Sequence, residues 1–169
     1  AAARVAEWID FYTFEEEVMV SDETDQTFIS GLVGPGAAET LHRLAGNAAA
    51  DLPRYRAVET NVAGVNTTVV RTDFVGTPSF DLVASAGDSA TLKAALEANS
   101  EVAGPEALEA LRTERGIPAF GSEINEDHNP LEAGLIESVS FNKGCYVGQE
   151  VVARLNTYDK VQRRLAVLN

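Results

Sequence analysis

The stretch Lys143-Gly144-Cys145-Tyr146-Val147-Gly148-Gln149-Glu150 places the single cysteine of the chain between two glycines. Glycine lets the backbone turn sharply or approach a ligand closely. A helical pattern of apolar residues follows Gly148, so Cys145 is predicted to lie just before a helix N-terminus and near Lys143. Both features favour a reactive thiolate. The alternative for Cys145 is a small buried hydrophobe packed in a turn.

The composition is that of a globular protein with an acidic surface. Hydrophobic residues make up 45% of the 169 residues, and the formal net charge is −13. Dispersed acidic charge repels the phosphates of duplex nucleic acid and of anionic lipid, so neither is expected as a partner. Lysine is scarce, and this scarcity favours adaptation to high salt over an ordinary solvated surface.

Cysteine usage and hydropathy favour a cytoplasmic protein. A lone thiol cannot form an internal disulfide. No apolar run approaches the roughly 20 residues needed to cross a bilayer. The start, Ala1-Ala2-Ala3-Arg4, lacks the apolar core of a signal peptide. We therefore expect a cytoplasmic monomer without a membrane partner.

Hydrophobic periodicity predicts an α+β fold built from split βαβ pieces. Helices are predicted at residues 4–14, from Gly34-Pro35-Gly36 to Gly46, from a cap at Asp88, from Gly104-Pro105 to Gly116, and after Gly148. Strands are predicted at residues 17–20, 26–33, 79–84 and 163–168, and in two pieces of 58–75 around a hairpin turn at Gly64-Val65-Asn66. Residues 120–139 are expected to be rich in loops.

Position by position, residues 143–150 resemble the K-G-C-[aromatic]-x-G-Q-E signature of the YgfZ family, a branch of the glycine-cleavage aminomethyltransferase superfamily. The likeness continues through Val151-Val152-Ala153-Arg154. Upstream, residues 111–118, 120–124 and 129–135 resemble the L-R-x-E-x-G-x-P, F/Y-G-x-E-I and P-L-E-A-G-L blocks of the aminomethyltransferases, and Gly34-Pro35 matches the G-P that precedes a helix in the family.

The resemblance covers essentially the whole chain, but only the middle-to-late part of the family. It implies that residues 1–160 form a folate-binding domain whose N-terminal part is missing, and that residues 161–169 begin a C-terminal barrel domain that is mostly absent. The implied fold is α+β, like the folate-binding domain of the aminomethyltransferases, with ferredoxin-like βαβ pieces around a central cavity. The implied cofactor is tetrahydrofolate or a one-carbon derivative of it.

The function implied by the YgfZ resemblance is a folate-dependent accessory role in iron–sulfur cluster assembly or repair, with effects on tRNA modification. Iron–sulfur assembly proteins are then the expected protein partners. Cys145 would be the catalytic or partner-contacting group. The signature residues expected to bind the cofactor around it are Lys143, Gly144, Tyr146, Gly148, Gln149 and Glu150.

Two further residues are carried over from the aminomethyltransferase blocks. Arg112 occupies the position of an arginine that helps to hold folate, and a planar guanidinium suits the carboxylate or carbonyl-rich edge of that ligand. The alternative for Arg112 is a surface arginine on a helix. Phe74 keeps the aromatic of the T-R-T-G-Y-T-G-E block, so tetrahydrofolate would lie near Arg112 and Phe74.

The chain also departs from the family pattern. The glutamate that would grip the pterin is replaced by Thr77, which cannot supply a charged, paired acceptor. Leu108 stands where YgfZ relatives often carry a tryptophan that lines the folate pocket. The rival to the accessory role is a true aminomethyltransferase that moves a one-carbon unit to tetrahydrofolate, which Arg112 and the P-L-E-A-G-L block favour and which Thr77 and the cysteine signature oppose.

A third candidate is a non-catalytic binding module, in which Cys145 is unreactive and folates do not bind. A metal site is not expected, because His42 and His128 are the only histidines and neither has a partner at ligand spacing.

Overall fold

The computed structural model describes residues 2–167, apart from the side chain of Phe74. The chain divides into two compact units, Ala1–Val102 and Ala103–Asn169. In the first unit the helices and strands are α1 (Ala2–Phe11), β1 (Thr27–Val33), α2 (Ala37–Ala45), α3 (Asn47–Ala50), β2 (Ala57–Val62), β3 (Val65–Arg71), β4 (Ser79–Ser85) and α4 (Ser89–Glu97). The second unit contains α5 (Pro105–Glu114) and α6 (Gln149–Thr157).

The strands of the first unit form one antiparallel sheet in the order β1-β4-β3-β2. The central strand β4 pairs with β1, where Leu32 lies opposite Phe80, and with β3, where Val69 lies opposite Leu82. The chain leaves β1 at one edge, passes through α2 and α3, and enters the sheet again at the opposite edge as β2. The predicted α+β class is confirmed.

Helices cover one face of the sheet, and alternate residues of each strand point towards that face. In β4, Phe80, Leu82 and Ala84 point into the core and are buried. Helices supply the facing layer, with Leu41 from α2 and Leu92 from α4 fully buried. Burial of each such leucine or phenylalanine side chain stabilises the fold by about 1.5–3 kcal/mol.

The opposite face of the sheet is more open. Ile29 of β1 is 63% exposed, although its strand neighbours Phe28 and Ser30 are partly covered. Asp81 of β4 lies on this face, and partial burial raises the pKa of its carboxyl above its ordinary value. The charged form of a carboxyl is disfavoured where water is partly excluded.

The β2–β3 hairpin turns at Ala63-Gly64, two residues that both have positive φ (51° and 93°). This is the backbone of a type I′ turn, whose twist matches that of the flanking strands. The side-chain oxygen Oδ1 of Asn61 accepts a hydrogen bond from the N–H of Gly64 at 2.7 Å. The predicted turn at Gly64-Val65-Asn66 was therefore placed too late, because Val65 and Asn66 already pair within β3.

The strands predicted at residues 26–33 and 79–84 are confirmed as β1 and β4. The strands predicted at 17–20 and 163–168 are wrong over their described residues, which are irregular. No described strand pairs with either segment, and an unpaired strand leaves its backbone groups without a ladder. Leu168 lies outside the described residues. Asp88 stands at the N-cap of α4 as predicted, but its side chain makes no capping hydrogen bond.

The second unit contains few buried hydrophobic side chains. Within its described residues these are Ala133 and Val152, while the buried charged residue is Arg112. Polar contacts therefore carry much of its tertiary structure. Helix α5 begins with Pro105 and is followed by a Schellman motif at Gly116, in which the N–H of Ile117 donates to the carbonyl of Arg112 at 2.8 Å.

None of the helices in the described part of the chain has the length and apolar character that crossing a membrane requires.

We expect Leu82→Ala to destabilise the first unit by about 2–5 kcal/mol, because it removes a fully buried side chain from the centre of the sheet. Urea denaturation followed by circular dichroism measures the change. Ile29→Ala is the matched control: it truncates an exposed aliphatic side chain in the neighbouring strand. An equal loss of stability for both variants would contradict the assignment of the two sheet faces.

Candidate functional site

Cys145 lies in an exposed turn before α6, and its thiol is free. The alternative of a buried cysteine is therefore wrong for this structure. Gly148 occupies the N-cap position of α6 with φ of 86°, in the left-handed region that favours glycine. Its carbonyl accepts hydrogen bonds from the N–H groups of Val151 and Val152 at 3.1 and 3.2 Å. The predicted helix after Gly148 is confirmed, with the cysteine displayed ahead of its first turn.

The turn is closed by two hydrogen bonds between Tyr146 and Gln149. The N–H of Tyr146 donates to Oε1 of Gln149 at 3.3 Å, and the N–H of Gln149 donates to the carbonyl of Tyr146 at 3.2 Å. The ammonium of Lys143 lies 5.1 Å from the centre of the Tyr146 ring, within the range of a cation–π contact. Gln149 and Lys143 thus both contact Tyr146, the residue that follows Cys145.

Gly144 and Glu150 flank the closed turn and make none of its described hydrogen bonds. A Cβ added at Gly144 would meet no atom within 4 Å, so close packing within the chain does not require a glycine there. Glu150 is exposed in the first turn of α6, where a negative charge is favoured by the helix dipole.

Arg112 is held by groups of its own chain. The side chain is 10% exposed on the last turn of α5. Its Nε donates to Glu109 at 2.7 Å, and its Nη2 donates to the other oxygen of the same carboxylate. Its Nη1 donates to the carbonyl of Ile117 at 3.0 Å and to Oε2 of Glu123 at 3.1 Å. Four of the five N–H groups of the guanidinium are therefore engaged.

The pKa values in this cluster shift as the contacts require. Hydrogen bonding to Glu109, and after it the charge of that carboxylate, raises the pKa of Arg112. The pKa of Glu123 is lowered, first by the N–H of Ala119, which donates to its Oε2 at 3.0 Å, and further by Arg112. Both groups are consequently held in their charged forms.

The loop between β3 and β4 contains strained backbone. Asp73, Val75 and Gly76 have positive φ values of 46°, 63° and 65°. A β-branched residue at positive φ is a genuine outlier, and each such non-glycine residue costs on the order of 1–3 kcal/mol. The side chain of Val75 is buried, and its burial offsets part of this strain.

Arg71 ties this loop to the rest of the unit. Its Nε donates to Oδ1 of Asp73 at 2.8 Å, and its Nη1 donates to the carbonyl of Leu52 at 2.8 Å. The hydrogen bond from Arg71 is the main cause that holds the pKa of Asp73 below its ordinary value. The predicted ligand residue Phe74 lies in this loop, but its side chain is outside the described residues.

The P-L-E-A-G-L block contains a clasp that the sequence analysis did not foresee. Oδ1 of Asn129 accepts the N–H groups of Leu131 and Glu132, each at 3.0 Å. Arg163 donates from Nε to Oε1 of Glu132 at 3.0 Å, and this contact lowers the pKa of the glutamate. The N–H of Leu165 also donates to the carbonyl of Glu132. An asparagine three residues before a glutamate was the available sequence signal.

The structure distributes the predicted site residues over the two units. Phe74 belongs to the first unit, whereas Arg112 and the signature turn belong to the second. None of the hydrogen bonds described within the second unit joins Arg112 to residues 143–150. Thr77 follows the strained loop, and its carbonyl accepts the hydroxyl of Ser79 at 2.9 Å. Leu108 is 44% exposed on α5.

Among the described residues, no group of three or more His, Cys, Asp or Glu side chains is arranged to hold a metal ion.

The fold of the first unit and the loops of the second unit together indicate a class of protein. An antiparallel sheet with helices on one face, followed by a loop-rich unit with aminomethyltransferase-like blocks, is the architecture expected of a GcvT-like folate-binding domain. The model of the GCVT N-terminal domain family matches residues 1–143, and the chain belongs to this family. The signature residues 144–150 lie beyond the matched range.

Three relatives are similar to the chain over part of their own length. The chain is 35% identical over 157 residues to a chloroplastic protein of Arabidopsis thaliana whose name gives only the general class transferase. It is 33% identical over 145 residues to the aminomethyltransferase of Rubrobacter xylanophilus, and 32% identical over 166 residues to that of Thermotoga maritima. These matches cover 92%, 85% and 95% of this chain, but 36%, 39% and 45% of the relatives.

The chain therefore spans less than half the length of these relatives. The resemblance to the aminomethyltransferase superfamily is confirmed by the family match, whereas the YgfZ subtype stays a prediction.

We expect Gly148→Ala to destabilise the turn before α6 by about 1–2 kcal/mol, because a side chain disfavours the left-handed backbone. Hydrogen exchange of the amides at the start of α6 measures the effect. Gly144→Ala is the matched control, since that glycine lies in open space without a positive φ. Equal exchange rates in the two variants would show that the turn does not depend on a glycine in the left-handed conformation at position 148.

We expect Glu123→Gln to flatten the acid dependence of stability of the second unit. The folded-state pKa of Glu123 lies below its ordinary value of 4.5, so its stabilisation is fully present above pH 4.5 and is lost as the pH falls through the folded-state value. Thermal unfolding from roughly pH 3 to pH 7 would show it. An identical acid transition in wild type and variant would contradict the assigned contacts.

Proposed function

We propose that this chain supplies part of the tetrahydrofolate site of a protein that transfers one-carbon groups in the manner of an aminomethyltransferase. The family match over residues 1–143 carries the proposal, and the relatives named aminomethyltransferase support it. Because the chain spans less than half of those relatives, the reaction belongs to the whole protein.

The strained loop of the first unit supports a ligand-binding role. Residues 73–76 align with the aminomethyltransferase block that carries the pterin-gripping glutamate, and backbone strain tends to be retained at ligand clamps. Thr77 stands in place of that glutamate, and the nearby carboxylate of Asp73 is already engaged by Arg71. The pterin edge would therefore be bound here by neutral hydrogen-bonding groups rather than by a free carboxylate.

The groups of the second unit fit folate unequally. Arg112 does not fit as the partner of a ligand carboxylate, because Glu109 and Glu123 already occupy its guanidinium. Lys143 is exposed and suits a carboxylate, and the ring of Tyr146 beside it offers an aromatic surface. Tetrahydrofolate, when bound, supplies the acceptor for the one-carbon unit; this chain would bind and orient it.

A second candidate is the YgfZ-type accessory role in iron–sulfur cluster assembly or repair, with effects on tRNA modification. Two observations favour it: the thiol of Cys145 is exposed in the turn that carries the family-like signature, and the pterin-gripping glutamate is absent. An exposed thiol ahead of a helix N-terminus is available to react or to contact a partner.

The two candidates differ in what Cys145 does. We expect the full-length protein to transfer a one-carbon unit from an aminomethylated carrier protein to tetrahydrofolate, and Cys145→Ala to leave this turnover unchanged. Steady-state assay of 5,10-methylenetetrahydrofolate measures it. Calorimetric titration with tetrahydrofolate is run in parallel on the wild-type protein and on Cys145→Ala.

The outcomes separate the candidates. Absence of turnover in wild type, with tetrahydrofolate binding intact and Cys145 reactive towards a thiol reagent, would favour the accessory role. Absence of any heat of binding would remove folate from both. Cys145→Ser is the matched variant that keeps the size of the side chain while removing most of its nucleophilicity.

A further inference from the structure

The guanidinium of Arg112 connects α5 to the segment that follows it. Through Nη1 it reaches the carbonyl of Ile117 and the carboxylate of Glu123, which lie at the two ends of the turn 117–124. Glu123 in turn accepts the N–H of Ala119 with the same oxygen, Oε2. The side chain of Arg112 therefore fixes both ends of this turn to the last turn of the helix.

The turn itself is tightly hydrogen-bonded. The N–H groups of Ser122 and Ile124 both donate to the carbonyl of Ala119, at 3.2 and 3.0 Å, and the N–H of Gly121 donates to the carbonyl of Ile124 at 3.0 Å. Gly121 has φ of 87°, which the reversal of direction requires. Phe120 stands at the tip and is 74% exposed, so the turn displays an aromatic ring while its base is held by Arg112.

The charge around Arg112 disfavours a direct contact with an anionic ligand. One guanidinium is matched by two carboxylates, those of Glu109 and Glu123, both within ion-pair distance. A ligand carboxylate would have to displace one of them, and it would approach a cluster that already carries excess negative charge. Bidentate pairing with Glu109 makes such a displacement still less favourable.

We infer that Arg112 is a positioning residue, which sets the geometry of residues 117–124 and affects folate only through that turn. The inference departs from the role that the family resemblance assigned to this arginine. The part of the inference that concerns folate, its ligand arm, rests on the proposed function. The part that concerns the geometry of residues 117–124, its structural arm, does not.

Hydrogen exchange of the full-length protein tests the structural arm. Arg112→Ala and Glu123→Ala should each accelerate exchange of the amides at residues 117–124 by about tenfold or more, as loss of a hydrogen bond to a charged group implies. Because the two residues act together, the double variant should exchange no faster than the quicker single variant. Unchanged exchange in the Arg112 variants would overturn the inference.

Two further variants keep this test decisive. Arg112→Lys retains the charge without the planar fork and should also accelerate exchange, even if Arg112→Ala does not fold. Arg115→Ala is the matched control, because this exposed arginine immediately follows α5 and makes no described side-chain hydrogen bond. Acceleration by Arg115→Ala equal to that by Arg112→Ala would count against a specific role of Arg112.

Calorimetric titration with tetrahydrofolate tests the ligand arm. Equal weakening of binding by Arg112→Ala and Glu123→Ala supports positioning, since Glu123 cannot attract an anionic ligand. Weakening by Arg112→Ala alone, with exchange unchanged, identifies a direct contact and overturns the inference. If wild type gives no heat, the proposed function fails, and the exchange experiment still decides the role of Arg112.

Discussion

The first unit depends on the pairing of β4 with two neighbours at once. Strand β4 lies between β1 and β3, and its successive side chains point to opposite faces of the sheet. Phe80 and Leu82 therefore face the helices, and Asp81 faces the open side. The same pairing makes the β3–β4 connection short. The N–H groups of Thr72 and Asp73 both donate to the carbonyl of Ser79, so the loop must reverse within a few residues, and it does so through left-handed backbone.

The second unit is organised by charge rather than by burial. With few apolar side chains enclosed among its described residues, its segments are joined by carboxylates: Glu123 ties a turn to α5, and Glu132 ties the P-L-E-A-G-L block to Arg163. Contacts of this kind are directional, so they define geometry well while contributing less free energy than an apolar core of equal extent.

Much of the sheet could be predicted from the sequence, because β4 has apolar residues at the alternate positions Phe80, Leu82 and Ala84, which is the spacing of one face of a strand. Residues 17–20 carry a similar apolar pattern, yet a strand needs a neighbour, and no local pattern shows whether one exists. Part of the candidate site could likewise be predicted from the sequence, and part could not. The display of Cys145 before a helix followed from Gly148, whereas the saturation of Arg112 depends on Glu123, which only the folded turn brings near.

The exposed thiol has a consequence for handling the protein. Within these 169 residues Cys145 has no second cysteine, so oxidation of this stretch of chain to a disulfide joins it to a different molecule. Air-oxidised preparations of these residues would therefore contain disulfide-linked dimers. The dimers form faster at higher protein concentration, and a reductant removes them. This single thiol also provides one attachment site for a fluorophore or spin label, next to the hydrogen bonds between Tyr146 and Gln149.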